Sequence, residues 1–239
     1  NGGLAILGSS GSGKTSSSGK QVARAILRHE GNLRQGRSGG LILCAKPEDA
    51  RMWRSLFAEA GRSADLVEFA PSHHQRFNFL DYEMRRGGQT RNITQLITTI
   101  GETLRSSDSK GSENGDFWER EQERMLYNAV QVVKIATGRV TAPELQQFIA
   151  GAANSPEEIA TEQWKGGFHQ QCLHAAYLAS KSPVDAHDCQ LAFDYWLGEI
   201  PRMASKTKSS ILVGVNGILH VFNTGIVREL VSGGTTVAP

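Results

Sequence analysis

The sequence predicts an α/β fold: a parallel sheet that carries a phosphate-binding loop and is interrupted by an all-helical insertion. Three observations lead there. Residues Gly8-Ser9-Ser10-Gly11-Ser12-Gly13-Lys14-Thr15 follow the pattern G-x-x-x-x-G-K-[ST], between an apolar run and a helical stretch. Short apolar runs then alternate with helical patterns as far as Pro71. From Met84 to about Lys206 only helical spacing remains. The boundaries that follow are residues 1–83 for the first part of a sheet core, 84–206 for the insertion and 207–239 for a truncated return to the core.

The opening element is Leu4-Ala5-Ile6-Leu7, an apolar run read as a buried strand. The loop after it is suited to a nucleotide. Its glycines let the backbone curl so that N–H groups converge on phosphates, Lys14 reaches the β- and γ-phosphates, and the Thr15 hydroxyl can hold Mg²⁺. Ser16 lies on the same turn, so the candidate ATP contacts are Gly8, Ser9, Ser10, Gly11, Ser12, Gly13, Lys14, Thr15 and Ser16. Val22, Ala23, Ile26 and Leu27 have helical spacing after the loop. That order puts the triphosphate at a helix N-terminus, where the dipole favours anions.

Leu41 to Ala45 reads as a second strand, and Lys46-Pro47-Glu48-Asp49 as a helix start with acids in the first turn. Met52, Trp53, Leu56 and Phe57 mark one face of that helix, which ends near Gly61. Leu66-Val67-Glu68-Phe69 reads as a third strand, closed by Pro71. Alternation of this kind predicts parallel pairing with helices on the sheet faces.

In the insertion, Ile93, Leu96, Ile97, Ile100 and Leu104 share a helical face, and Ser106 to Gly115 is a polar loop. Residues 116–134 form a long helix. Thr141 and Ser155, each followed by Pro and Glu, cap two further helices. Two more helical stretches follow, around 172–178 and 189–203. Ile211, Leu212, Val215, Ile218, Leu219 and Phe222 fit a helix better than a strand, although Gly214 and Gly217 weaken the pattern, and Ile226 to Val231 suggests a short last helix.

Composition sets outer bounds. The 239 residues are 39% hydrophobic and 21% charged, the balance of a globular chain. A net charge of +2 neither requires nor excludes nucleic acid. Cys44, Cys172 and Cys189 are odd in number and widely spaced, which points to a reducing, cytoplasmic compartment and away from a zinc site. No apolar run has the length of a membrane span, and the first residues do not read as a signal peptide. A phosphate-loop ATPase needs a second acidic strand. The one late apolar run, Ile211-Leu212-Val213, ends in Gly214, so the chain reads as a fragment cut at both ends.

Four segments, in order, resemble the conjugative coupling-protein ATPases of type IV secretion, the TraG/TraD-like branch related to the FtsK and HerA DNA motors. They are the phosphate loop, Leu41 to Glu48, Phe77-Asn78-Phe79-Leu80-Asp81, and the stretch from Lys206 to Leu230. Two positions depart from that pattern: Cys44 stands where the family usually has Asp, and Phe79 where it has Pro. The resemblance implies a RecA-like core, ATP hydrolysis with Mg²⁺ and a homo-oligomeric ring of six. It also implies movement of DNA or a secreted protein–DNA substrate, with other secretion components as partners. The second acidic (Walker B) residue and an arginine finger would come from beyond Pro239 or from a neighbour. The location implied is the cytoplasmic face of the inner membrane, reached through segments outside this chain, which itself makes no membrane contact.

Lys14, Lys46 and Glu48 are the candidate catalytic residues. Lys46 sits at a strand end, where it could sense the γ-phosphate, or it is a solvated helix-start lysine. Glu48 could orient water, or stabilise the helix dipole. His73-His74 could suggest metal or acid–base work but has no third ligand and reads as exposed loop, and Asp81 is a site carboxylate or, as the favoured reading, a turn residue. Trp53, Trp118, Trp164 and Trp196 read as core anchors. Arg24, Arg28, Arg34 and Arg37 form a basic stretch that could meet phosphate backbone or a neighbour, with a solvated face as the default. Two other functions stand beside the motor: a small-molecule kinase, for which Arg85-Arg86 gives slight support, and a non-catalytic nucleotide-binding docking module.

Overall fold

Pro47 opens a helix where its missing N–H costs nothing, and Gly61, at φ 66°, follows its end in the left-handed region that glycine tolerates best. Local signals of this kind set the helices throughout the computed structural model, which describes residues 5–7, 9, 13–29, 38–104, 115–180 and 182–237. The chain divides into two units, residues 1–68 and 69–239.

The first correction concerns the sheet. No strand is present among the described residues, so neither the α/β class nor a RecA-like parallel sheet is their fold. Leu4 lies outside the described residues, and Ala5 to Leu7, Leu41 to Cys44 and Leu66 to Phe69 run as irregular backbone. The physical reason is visible in their side chains. A buried parallel strand needs ladder partners and cover on both faces, yet Leu7 is 90% exposed and Leu41 and Leu43 are each 86% exposed. Only alternate members, Ile42 and Leu66, pack onto the small core of their unit.

In the first unit, a π-helical turn (Thr15–Gly19) continues as α1 (Lys20–Arg28), and α2 (Pro47–Glu59) packs beside it. Ala23 and Leu27 from α1 meet Leu56 and Phe57 from α2, with Met52 and Trp53 at the margin. Arg24 Nε is 2.8 Å from the Glu59 carboxylate, tying the two helices together. A 3-10 turn (Ser63–Asp65) follows. Beside it, buried Arg62 donates to the Leu27 carbonyl at 3.3 Å, the Ser38 carbonyl at 3.1 Å and Asp65 at 2.7 Å. One guanidinium thus caps the end of α1 and holds the chain that leads away from it.

The second unit is helical. It comprises α3 (Phe79–Arg85), α4 (Thr90–Leu104), α5 (Gly115–Thr137), α6 (Ala142–Ala150), α7 (Pro156–Ile159) and α8 (Glu162–Lys165). Then come α9 (Phe168–Ala179), α10 (Pro183–Phe193), a π-helical turn (Asp194–Glu199) with a 3-10 turn (Ile200–Arg202), α11 (Ser205–Asn223) and α12 (Gly225–Val231). Of the loop predicted over 106–115, Gly115 starts α5 and the rest lies outside the described residues. Thr141 and Ser155 cap as the sequence predicts, their hydroxyls accepting from Glu144 N at 3.2 Å and Glu158 N at 3.4 Å.

The core gathers around α5, which packs against α4, α6, α9, α10 and α11. Ile93 and Ile97 of α4, Leu126, Val130 and Val133 of α5, and Ile211, Val215 and Leu219 of α11 are all fully buried there. Removing a side chain of this size from water contributes roughly 1.5–3 kcal/mol. Trp164 and Trp196 are buried core anchors, with Trp118 packed at the edge. Among the described residues no single helix is long and apolar enough to cross a membrane.

Asn78 shows how the second unit closes. Its side chain caps α3 by accepting from Leu80 N at 3.1 Å and Asp81 N at 3.2 Å, and donates to the Val140 carbonyl at 3.0 Å. Its own N–H donates to the Thr235 hydroxyl at 3.0 Å, and Arg76 and Thr236 exchange bonds at 2.8 Å. Residues 76–78 and 235–237 are therefore clasped side by side.

Candidate phosphate-binding loop

The described part of the loop turns on Gly13, whose φ of 81° lies in the left-handed region. Lys14 returns at once to helical backbone, at φ −48° and ψ −49°. Ser17 N donates to the Gly13 carbonyl at 2.8 Å and Gly19 N to the Lys14 carbonyl at 2.7 Å, so these carbonyls point along the helix and away from its open end. The wide first turn is a π-turn, a feature common at functional sites. Gly19 is part of it: a Cβ there would lie 2.9 Å from the Lys14 carbonyl oxygen. The sequence reading missed Gly19, and a glycine inside an otherwise helical pattern was the available signal.

The Lys14 ammonium donates to the Ser9 carbonyl, which brings the two ends of the motif together across the loop. Gly8, Ser10, Gly11 and Ser12 lie outside the described residues, as do the side chains of Thr15 and Ser16. A phosphate fits the described portion. A cation already crosses the loop, and the first-turn N–H groups of a helix have no partners within it. The Thr15 hydroxyl is the group that would hold Mg²⁺. Among the described residues, no group of three His, Cys, Asp or Glu side chains could hold a metal by itself.

Lys46 and Glu48 both belong to the start of α2. Lys46 is the N-cap residue, exposed, and its carbonyl accepts from Asp49 N at 3.1 Å. Glu48 is in the first turn and pairs with Arg51 at 3.1 Å, both side chains being 67% exposed. Its carboxylate therefore faces along its own helix. Cys44 is an exposed free thiol.

The other sequence candidates resolve into structural parts. Asp81 is a buried residue in the first turn of α3, not a turn residue, and its carboxylate is 2.8 Å from Arg85 Nε. The His73 carbonyl accepts from Arg76, and His74 is exposed. Arg24 is taken up by Glu59, while Arg34 and Arg37 lie outside the described residues. Compared with known protein families, curated proteins and solved structures, the chain matches none.

Proposed function

We propose that residues 8–16 bind ATP, and that the chain is the ATP-hydrolysing part of a coupling-type motor that moves DNA or a protein–DNA substrate. The observation that carries the first half is Lys14, whose ammonium spans the loop to the Ser9 carbonyl directly after the left-handed Gly13. In this reading the triphosphate takes over that ammonium. The N–H groups ahead of Ser17 at the start of the π-turn and the α1 dipole hold the anionic oxygens. Mg²⁺, when bound, supplies charge neutralisation at the phosphates. Water then displaces ADP from the γ-phosphorus, and the proton leaves with the inorganic phosphate. Positioning and electrostatic stabilisation supply most of the rate.

The translocation half rests on the resemblance of the four ordered segments, and with it the ring of six, the secretion partners and a place at the cytoplasmic face of the inner membrane. Glu48 favours a second reading, because its carboxylate is engaged by Arg51 on the same helix. In that reading the chain binds nucleotide and docks without turnover.

Calorimetry with ATP and Mg²⁺ on the wild-type chain and the Lys14→Ala variant tests the first half. Saturable heat that is lost in the variant supports it, whereas equal heat in both rejects it. Phosphate release separates the two readings: turnover that Lys14→Ala abolishes supports hydrolysis, and binding with no release supports docking.

A further inference from the structure

One cleft is lined wholly by residues of the second unit. It has a volume of about 680 Å³, and its floor is a stripe on α5: Arg120, Glu123, Arg124, Tyr127, Gln131 and Lys134. Gln89, Thr90 and Arg91 at the start of α4 form one wall, and Asp185 and Asp188 of α10 the other. From Arg120 to Lys134 the stripe runs about 21 Å at 1.5 Å per residue. The volume falls in the range, roughly 300–1,000 Å³, of small-molecule sites.

The lining is charged, and its members differ in what already holds them. Arg124 is fixed by the Glu199 carboxylate at 2.6 and 2.7 Å and lies 4.9 Å from the Tyr195 ring centre. Lys134 donates to the Gly88 carbonyl at 3.3 Å, and Thr90 to Gln131. Asp185 accepts from the Ser182 hydroxyl at 2.6 Å. Arg91 and Arg120 make no hydrogen bond or ion pair with described side chains, although in the same unit Arg76, Arg85, Arg124 and Arg139 are each paired with a carboxylate. Asp188 and Glu123 are likewise without a described partner. Two guanidiniums and two carboxylates thus line one polar cleft, together with Tyr127, which is 38% exposed.

We infer that this cleft binds a phosphate-bearing ligand that also carries hydroxyl donors, the chemistry shared by nucleotides and sugar phosphates. The guanidiniums suit phosphate oxygens, which accept their paired N–H groups. Carboxylates accept only, so Glu123 and Asp188 suit hydroxyls and would repel a bare polyanion. The Tyr127 ring offers a face to a base or sugar.

The test titrates the full chain with AMP, ribose 5-phosphate and inorganic phosphate, following the Arg91 and Arg120 Nε–H resonances by NMR. The site-resolved signals separate this cleft from the loop. Saturable shifts of both signals are expected with AMP or ribose 5-phosphate, at least about tenfold tighter than with inorganic phosphate. Tighter binding of AMP than of ribose 5-phosphate assigns a nucleotide, and equal binding a sugar phosphate. Arg91→Glu and Arg120→Glu each weaken binding about tenfold or more, and Asp188→Asn narrows the preference over inorganic phosphate, while Lys14→Ala leaves the shifts intact. The inference is overturned if neither resonance shifts up to about 10 mM ligand. It is also overturned if inorganic phosphate binds as tightly as the sugar phosphates, or if charge reversal leaves affinity unchanged.

Discussion

Gly214 of α11 lies so close to Gln122 of α5 that a Cβ added to the glycine would sit 2.3 Å from the carboxamide carbon. The missing side chain is what lets the two helices approach over a buried amide. Gly214→Ala therefore forces the buried amide or a backbone to move, at a cost of about 1–3 kcal/mol in urea unfolding. Gly217, on the same helix with nothing within 4 Å of such a Cβ, is the control. Gly217→Ala gains helix propensity and stabilises by about 0.5–1 kcal/mol. Destabilisation of similar size in both variants would show that the approach at Gln122 is not what requires glycine.

A second expectation concerns pH. His169 is buried, stacked on Phe148 with ring centres 4.1 Å apart, and its Nδ1 donates to the Phe148 carbonyl at 2.7 Å. Burial pushes its pKa down from 6.5 to about 4. The neutral ring is the folded form, so the unfolded chain binds the extra proton between those values. Stability from this group is complete above pH 6.5 and is lost as the pH falls toward 4, by about 3 kcal/mol at 1.36 kcal/mol per pKa unit. His169→Phe keeps the stacking area and flattens that part of the profile. Parallel wild-type and variant curves from pH 7 to 4.5 would count against the assignment.

Arg62 provides a test confined to the first unit. Arg62→Ala removes bonds to Leu27, Ser38 and Asp65 together, and charge-assisted bonds contribute roughly 1.5–3 kcal/mol each. Hydrogen exchange should accelerate in α1 and α2 and stay unchanged in α5. Lysine has no planar fork and does not restore protection. If Arg62→Lys exchanges as slowly as wild type, the three-way grip is not what holds the unit.

The loop carries a further expectation through Gly19. Gly19→Ala crowds the Lys14 carbonyl, opens the π-turn and lowers ATP affinity about tenfold with little change in the melting of the second unit. Glu48→Gln is its companion. Lower turnover at unchanged affinity would give Glu48 the water-orienting role, whereas unchanged turnover leaves it the i,i+3 partner of Arg51, an exposed pair of about 0.2–0.5 kcal/mol.

The helices were legible because their signals are local. Thr141 and Ser155 each place an oxygen three residues before the N–H it accepts, and Ile93 and Ile97 repeat at the spacing that buries both. That the three apolar runs would form no strands was not legible in the same way. Leu41 to Ala45 has the composition of a buried strand, but ladder partners and cover are non-local and four or five residues do not encode them. Gly214 counted against a helix on propensity, and only packing against Gln122 explains it. Within the loop, motif spacing singled out Lys14, but Ser9 as its acceptor and Gly19 as a steric requirement emerge from geometry. The cleft was invisible in sequence because Arg91, Arg120 and Asp188 come from three helices.

The clasp between residues 76–78 and 235–237 sets where the helical unit can be cut and rejoined. Its two end segments run as neighbours, so a short peptide bridge between them would close the unit into a ring. New termini could then be opened at an exposed connection such as Gly138, which sits at φ 69° with open space where a Cβ would lie. A unit of this kind can be spliced into a host loop with no separation to span.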